Sequence, residues 1–227
     1  NTVLLPLWLQ QHMGYTATQA GMAMAPVGLL AIVLSPMVGM TVGKVDPRRY
    51  ATFSFLVFAL VLWMRAGFNT QADFTTIMIP TVVQGIAMAF FFIPLVTITL
   101  SGLSPDRIPA ASGLSNFLRI TGGAIGTSVT TTLWENRATL HHAQLVESVN
   151  HGNGAATSAI SGLGASGFSA DQVLAQLNRM VDQQAFMLAT SDIFYASAVL
   201  FIMLIPLVWL ARPQRGAAGA DAAAGAH

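Results

Sequence analysis

Five long apolar stretches separated by polar connections dominate the chain. They cover about residues 19–42, 50–67, 77–101, 110–134 and 188–211. A helix needs about 20 apolar residues to cross the roughly 30 Å hydrocarbon core of a bilayer, so each stretch predicts one membrane-spanning helix. Residues 2–11 have the same character over half that length and predict the end of a sixth span. The pattern therefore predicts an all-α membrane protein with transmembrane helices over 1–134 and a last one over 188–211.

The long connection at 135–187 is predicted to lie outside the membrane. Its first part continues the preceding span, and residues 152–167 are rich in Gly, Ala and Ser, which is typical of a flexible segment. Ser169 and Gln172 then have the spacing of a capping box, which predicts that a helix begins there. Apolar residues recur on one face of that helix and make it amphipathic: Val173, Leu177, Met180 and Val181.

Lysine and arginine are unevenly divided between the two sides of the predicted bundle. Membrane proteins keep an excess of these residues on the cytoplasmic side, which orients the spans. One side carries six of them: Lys44, Arg48, Arg49, Arg107, Arg212 and Arg215. The opposite side carries Arg65, Arg137 and Arg179. We therefore expect a periplasmic position for 135–187 and a cytoplasmic tail at 212–227, which lacks a core-forming pattern and is predicted to be disordered.

Composition narrows the functional class. The 227-residue chain is 54% hydrophobic and only 8% charged, whereas an average soluble domain is about 25% charged, which argues against a water-soluble enzyme. The net charge of +1 supplies no field that would hold a nucleic acid. The sequence has no cysteine, which removes thiolate metal sites and Cys nucleophiles. It also has no Walker A, G-x-S-x-G or H-E-x-x-H motif, so ATP-driven transport and the common hydrolase reactions lack support.

Small and polar residues separate the inner spans from the outer ones. Helices in lipid contact one another through small residues and polar groups. Segments 50–67 and 188–210 are bulky nearly all round and are predicted to be peripheral. Segments 19–42 and 77–101 each contain two prolines, which kink a helix where neighbours or water satisfy the freed carbonyls. These two segments and 110–134 are predicted to form the wall of a cavity.

One face of segment 110–134 is small or polar along its whole length. Its members follow one another at intervals of three or four residues: Ser112, Asn116, Arg119, Gly123, Gly126 and Thr130. An arginine at membrane depth costs roughly 2.5–3.5 kcal/mol on the insertion scale, so Arg119 needs a partner or a water-filled cavity. Two interpretations stay open. Arg119 is either a structural residue that reaches the cytoplasmic surface or neighbouring carbonyls, or a cavity charge that gates the helix or meets substrate or proton.

Segment 77–101 supplies the other candidates for substrate binding. Methionine and phenylalanine form a deformable apolar surface that suits varied lipophilic ligands. The full set of predicted substrate-binding residues is Gln84, Met88, Phe91, Phe92, Asn116 and Arg119. Ordinary packing against lipid or core is the alternative for each apolar member, so the cluster, rather than any single residue, supports a binding site.

The candidate gating and helix-packing positions are four glycines and one proline. Gly39 and Gly43 form a G-x-x-x-G pair, which allows two helices to approach closely. Gly123 and Gly126 lie on the small face of their span, and Pro94 interrupts another span. These five residues are predicted to permit helix contact and movement.

Histidines and carboxylates define no site in the sequence. His141 and His142 lack a partner at metal-ligand spacing, so a solvated connection is preferred for them and no metal site is predicted. Asp192 lies near the expected start of its span, where the helix dipole favours a carboxylate, and this interpretation is preferred over a proton carrier. A membrane-embedded enzyme would need His and carboxylates clustered at membrane depth, and the sequence has no such cluster.

Several long stretches match one known family in order. They are HMGYTATQAGMAMAPVG (12–28), LSPMVG (34–39), VVQGIAMAFFFIPLVTITLSGL (82–103), AASGLSNFLRITGGAIGTSVTTTLWENR (110–137) and HHAQLVESVN (141–150). From residue 1 to the tail, the chain resembles the 14-helix drug:proton antiporters of the major facilitator superfamily, EmrB/QacA type, and above all the members that work in tripartite pumps. The resemblance implies the C-terminal helical bundle of that fold, with five full transmembrane helices plus the end of a sixth, within a longer polypeptide.

The same resemblance implies a function and partners. The family exports lipophilic drug-like compounds from the bacterial inner membrane by alternating access, with the proton gradient as energy source and no cofactor. It also implies a periplasmic membrane-fusion adaptor and an outer-membrane channel as partners, with 135–187 placed to touch the adaptor. The proton-coupling residues of the family belong to its first bundle, so none is predicted here. Two alternatives stay open: an uptake symporter for a polar solute within the same superfamily, and a non-transporting membrane scaffold.

Overall fold

The computed structural model describes residues 4–42, 44–69, 72–149 and 154–210. Within these ranges the chain forms seven α-helices and no strand. The helices are α1 (Leu4–His12), α2 (Ala17–Val42), α3 (Pro47–Ala66), α4 (Phe74–Leu100), α5 (Ile108–Ser148), α6 (Gly154–Ala165) and α7 (Ala170–Leu210). The predicted all-α architecture is confirmed, whereas Gly43 and the predicted tail at 212–227 lie outside the described residues.

Local hydrogen bonds fix where several helices begin. At the start of α7 the Ser169 backbone N–H donates to Gln172 Oε1 over 2.9 Å, and the Gln172 backbone N–H donates to Ser169 Oγ over 3.4 Å. The predicted capping box is thus confirmed. Asp73 caps α4 by accepting hydrogen bonds from the side chain and the backbone of Thr76. These bonds stabilise the carboxylate and lower the pKa of Asp73.

Four of the described helices are long and apolar enough to cross a membrane: α2, α3, α4 and α7. The fifth predicted span is the first part of α5, which is helical but less apolar because its window includes Asn116 and Arg119. The nine-residue α1 matches the predicted end of a further span. Every predicted span is therefore helical, and the least apolar one carries the polar face.

The helices pack in a limited set of pairs. α4 lies against both α2 and α3, while α7 lies against both α3 and α5. The short α1 is embedded at the end of the bundle where α3 ends and α4 begins, and its Leu5, Trp8 and Leu9 are fully buried. Residues from other helices complete this core: Leu62, Ile77, Trp134, Met187 and Phe194. The distribution of basic residues predicts that this end is extracytoplasmic.

The outer helices α3 and α7 meet each other through aromatic side chains. Phe58 stacks on Phe201 with ring centroids 5.1 Å apart, and Phe55 meets the edge of the same ring at 5.6 Å. The opposite face of α3 exposes Leu60 and Trp63. An exposed apolar face on a membrane helix agrees with the predicted peripheral position of this span.

Arg65 is the one charged residue that the described part of the chain buries completely. Its Nη2 donates to Thr81 Oγ1 over 3.0 Å, and the Thr81 hydroxyl donates to the Ile77 carbonyl over 2.8 Å. The sequence counts Arg65 among the basic residues of the outer side, where an exposed position would be ordinary. The structure instead uses its guanidinium to join the end of α3 to α4.

The prediction for 135–187 is confirmed in part and corrected in part. As predicted, the preceding span continues, because α5 runs without a break to Ser148. The expected boundary at 187 is wrong, because α7 runs as one helix from Ala170 to Leu210. The stretch predicted to be flexible contains α6, because its alanines favour a helix and α7 offers it a surface to pack against. At 41 residues each, α5 and α7 are about 60 Å long, roughly twice the hydrocarbon thickness. We call the projecting part, 135–187, the outer hairpin.

Candidate functional site

A cavity of about 260 Å³ lies between the C-terminal part of α4 and the N-terminal part of α5. Its apolar part comes mainly from α4 and its polar part mainly from α5. The lining residues are Phe92, Val96, Thr99 and Leu100 of α4, and Ser112, Ser115, Asn116 and Arg119 of α5. The cavity therefore offers hydroxyl, amide and guanidinium groups opposite an apolar wall.

Arg119 supplies the positive charge of this cavity. Its Nη2 donates to Asn116 Oδ1 over 2.6 Å, one helical turn earlier on the same face. Its Cζ lies 5.9 Å from the centroid of the Phe92 ring, within the range of a cation–π contact. The guanidinium is thus oriented by one amide and one aromatic ring, and no carboxylate forms an ion pair with it among the described residues.

Three of the predicted substrate-binding residues meet here, and three do not. Phe92, Asn116 and Arg119 line the cavity, and Arg119 contacts both of the other two. Phe91 points toward α3, where its ring lies 5.5 Å from that of Phe58. Met88 is half-buried and lies outside the cavity lining.

Gln84 is buried inside the bundle at 2% exposure and does not line the cavity either. Its Oε1 finds no hydrogen-bond partner among the described residues. Substrate binding by Gln84, Met88 and Phe91 stays a prediction, and the geometry found here does not support it.

The close contact between two spans occurs at a glycine outside the predicted set. A Cβ built on Gly85 of α4 would lie 2.8 Å from the Leu30 Cβ and 3.0 Å from the Pro26 carbonyl oxygen of α2. The predicted positions Gly39, Gly123 and Gly126 have no atom within 4 Å of a built Cβ.

The packing role of those three glycines therefore needs surfaces beyond the described part of this chain and stays a prediction. Pro94 is buried within α4, as expected of a residue inside a bundle. The role predicted for Gly43 falls outside the described residues.

A second group of polar residues joins the outer hairpin to Asp192, which lies just beyond it on α7. His141 Nε2 lies 2.8 Å from Asp192 Oδ2, and Arg137 Nε lies 3.3 Å from the same oxygen. His142 Nε2 lies 3.3 Å from Asp182 Oδ1. The sequence analysis placed both histidines in a solvated connection, and the structure corrects this by pairing each with a carboxylate of α7.

One sequence signal for these pairs was available. Trp134, Ala138 and His141 recur at intervals of three to four residues, which marks the face of α5 that packs on another helix. The identity of the facing carboxylates depends on the antiparallel register of α5 and α7, which the sequence does not specify. No group of three or more His, Cys, Asp or Glu residues that could hold a metal ion occurs in the described ranges.

Comparisons with known proteins place the chain in a clear context. The sequence profile of the Major Facilitator Superfamily matches residues 1–136. The chain is 47% identical to the multidrug export protein EmrB of Escherichia coli K12 over 226 residues, which covers 99% of the chain and 44% of that protein.

Two further relatives are named as resistance proteins. The fatty acid resistance protein FarB of Neisseria gonorrhoeae is 43% identical over 92% of the chain and 41% of its own length. The probable multidrug resistance protein EmrY of Escherichia coli K12 is 40% identical over 96% of the chain and 43% of its own length. The chain thus spans less than half the length of these curated relatives.

Proposed function

The chain belongs to the Major Facilitator Superfamily, and we propose that it forms the C-terminal half of a proton-driven multidrug exporter that moves lipophilic compounds by alternating access. It is a multi-pass helical protein of the bacterial inner membrane. The proposal is supported by the names of relatives over 40% identical, which export drugs or confer resistance to fatty acids.

The observation that carries the proposal is the position of Arg119 in the cavity. A lipophilic substrate can place apolar atoms against Phe92, Val96 and Leu100 while a polar group meets the guanidinium. Arginine presents several N–H donors in a fixed plane and matches a carboxylate or other planar anion. The site therefore suits lipophilic compounds that carry an acidic group, and a fatty acid, the compound after which FarB is named, has this chemistry.

The exposed half of α5 fits the alternating-access part of the proposal. Residues 110–133 are largely exposed in this chain, including the cavity residues Asn116 and Arg119. In a two-bundle transporter the substrate site lies between bundles that rock against each other. We infer that this half of α5 faces the partner bundle and that substrate binds where the two meet.

The energy source and the partners complete the proposal. We infer that the proton gradient drives export without a cofactor, and that the protein is a transporter and not an enzyme. The outer hairpin is the extramembrane element of this chain that is large enough to contact a periplasmic membrane-fusion adaptor, which would lead to an outer-membrane channel.

Replacing Arg119 with alanine in the whole transporter tests the substrate site. A charge-assisted hydrogen bond contributes about 1.5–3 kcal/mol, so we expect an affinity loss of roughly tenfold or more for an acidic lipophilic substrate and loss of resistance. Membrane levels should stay near normal because Arg119 is exposed in the chain. Arg107→Ala, in the connection before α5, is the matched control and should retain resistance. Unchanged resistance in Arg119→Ala would assign Arg119 a structural role.

Deleting residues 152–167 tests the adaptor contact. The deletion removes α6 and should weaken crosslinking to the adaptor more than it weakens binding of substrate. Replacing the same segment with a Gly/Ser linker of equal length controls for the spacing between α5 and α7. Crosslinking at the original level in both variants would rule out a role for this segment in adaptor association.

A further inference from the structure

Among the residues that the structure describes, no carboxylate lines the cavity between α4 and α5. The one charged group of the lining is the Arg119 guanidinium. The neutral polar residues of the lining are Thr99, Ser112, Ser115 and Asn116. The Thr99 hydroxyl donates to the Leu95 carbonyl over 2.8 Å, so its proton is used within its own helix. The main source of polar groups for a ligand is therefore one face of α5.

Asn116 uses its acceptor atom on Arg119. Its Oδ1 accepts from Arg119 Nη2 over 2.6 Å, and a guanidinium has donors only, so the amide oxygen must face the guanidinium and the amide nitrogen must point away from it. That nitrogen carries two N–H donors, and the guanidinium has further N–H groups besides the one given to Asn116. The pair therefore presents mainly donors to the cavity, together with a full positive charge.

Phe92 supports the same guanidinium from the wall formed by α4. Its ring centroid lies 5.9 Å from Arg119 Cζ. An arginine side chain has several rotatable bonds, so a guanidinium without such contacts would lose conformational entropy when a ligand fixed it. The amide of Asn116 and the ring of Phe92 hold the charged group in one place before a ligand arrives.

We propose that Asn116 determines the charge selectivity of this site, because it positions Arg119 while remaining neutral itself. A neutral amide leaves the charge of the guanidinium available to an anionic head group. A carboxylate in the same place would form an ion pair with Arg119 and cancel that charge. The site therefore takes amphiphiles with an anionic head group in preference to those with a neutral or cationic one.

This inference rests on the proposed function, because it assumes that substrate binds beside Arg119. It adds the residue that sets the charge of the accepted substrate. A merely structural role for Asn116 leads to a different expectation, in which substitutions change the thermal midpoint of the protein and leave the order of preference among head groups unchanged.

Binding of three amphiphiles with the same ten-carbon chain to the whole transporter, reconstituted in nanodiscs, tests the proposal. The probes are decane sulfonate, decanol and decyltrimethylammonium, whose head groups are anionic, neutral and cationic at any working pH. Partition of each probe into the lipid is the same for every variant, so ratios between variants report on the protein. We expect the wild-type protein to bind decane sulfonate most tightly.

Asn116→Asp should reverse this preference. Affinity for decane sulfonate should fall about tenfold or more, because the new carboxylate replaces the ligand as the partner of the guanidinium. Affinity for decyltrimethylammonium should rise about threefold, because the positive charge that repels it is cancelled. Asn116→Ala removes the positioning contact without adding charge, so it should weaken sulfonate binding about three- to tenfold and keep the preference for the anion. Thermal midpoints of both variants should stay near wild type, because Asn116 is exposed.

Ser112→Asp is the matched control, because it adds the same charge to the lining of the same cavity. Seven residues, or about 10 Å along the helix, separate this position from Arg119, which is too far for an ion pair. In a cavity open to water the added charge should weaken sulfonate binding only about two- to threefold. An equal loss in Ser112→Asp and Asn116→Asp would overturn the role of Asn116.

Arg119→Ala separates this proposal from the one on which it rests. The variant should lose the preference for decane sulfonate, and wild-type binding of all three probes would overturn both the substrate site and the role of Asn116. Loss of the preference in Arg119→Ala together with wild-type selectivity in Asn116→Asp would overturn the role of Asn116 alone. The two failures are therefore distinguishable in one set of measurements.

Discussion

The two halves of α5 have opposite surroundings within one continuous helix. In the half that begins at Trp134, Trp134 and Ala138 are buried, and Arg137 and His141 pair with Asp192 of α7. In the half before it, large side chains stand away from the rest of the chain, and Phe117 is 62% exposed. One half is packed against α7, whereas the other meets the rest of the chain mainly at the cavity beside α4.

This difference indicates that the exposed half serves a cavity or a partner helix and not the packing of this chain. Its face contains Asn116, Arg119 and two glycines, which neither form an apolar core nor pair with α7. Polar groups at membrane depth are costly and are retained mainly where they serve a cavity or a helix partner. The half that lacks contacts is therefore the half that carries the proposed substrate site.

Arg65→Ala should produce the largest effect, because it removes a charge from the packed region. The change leaves Thr81 without the guanidinium donor and opens a void between α3 and α4, so we expect a loss of about 2–5 kcal/mol in the free energy of unfolding. Thermal unfolding in detergent and the yield of folded protein measure it. Arg119→Ala is the matched control in the open half and should keep the wild-type midpoint. Equal destabilisation by both variants would contradict the difference between the packed region around Arg65 and the exposed half of α5.

Gly85→Ala should have the next largest effect. The added methyl group would meet the Leu30 side chain and the Pro26 carbonyl of α2, and such overpacking costs about 1–3 kcal/mol. Gly123→Ala places the same methyl group in open space on α5, so its stability should be unchanged or raised by up to about 1 kcal/mol. Thermal midpoints of the two variants, compared side by side, check the prediction. A tolerated Gly85→Ala would mean that α2 and α4 can separate at little cost.

Trp134→Phe should cost less, because it removes one hydrogen bond and some packing at the junction of the two halves. Loss of the bond to Thr190 is expected to lower the free energy of unfolding by about 0.5–1.5 kcal/mol. Trp63→Phe, on the exposed face of α3, should change it by less than about 0.5 kcal/mol. Chemical or thermal unfolding of both variants separates the two outcomes, and identical values would show that the junction is not anchored by this bond.

Ile120→Ala should have the smallest effect. Ile120 is exposed in the open half, so its truncation opens no void in this chain and should change the free energy of unfolding of the chain by less than about 0.5 kcal/mol. The same variant in the whole transporter should lower stability or activity more, if this face packs on a second bundle. A cost of several kcal/mol in the chain alone would contradict the exposure of this half.

Local features of the structure could be read from the sequence, and contacts between distant segments could not. The capping box at Ser169 involves residues three positions apart, and the polar face with Arg119 follows from helical periodicity. Pairs such as His141 with Asp192 depend on the register of two long helices. The packing role of Gly85 could not be predicted for the same reason, because a glycine matters for packing only where another helix approaches it closely.

The sequence predicted the charged residue of the candidate site, but it predicted the apolar residues less well. Arg119 was identified because a guanidinium at membrane depth is rare and costly. Phe91 and Phe92 are adjacent, equally apolar and point to different neighbours, so composition could not tell which of them lines the cavity. Rotation of α4 about its own axis decides this, and that rotation is fixed by packing against α2 and α3.

The unbroken passage of α5 and α7 from membrane to exterior has a mechanical consequence. An unbroken helix transmits a tilt along its length, and beyond Trp134 α5 continues for about 20 Å. A tilt of roughly 10° inside the bilayer would sweep the far tip through about 3–4 Å, given that length. A protein bound at the tip would therefore be displaced by any such tilt of α5 within the bilayer.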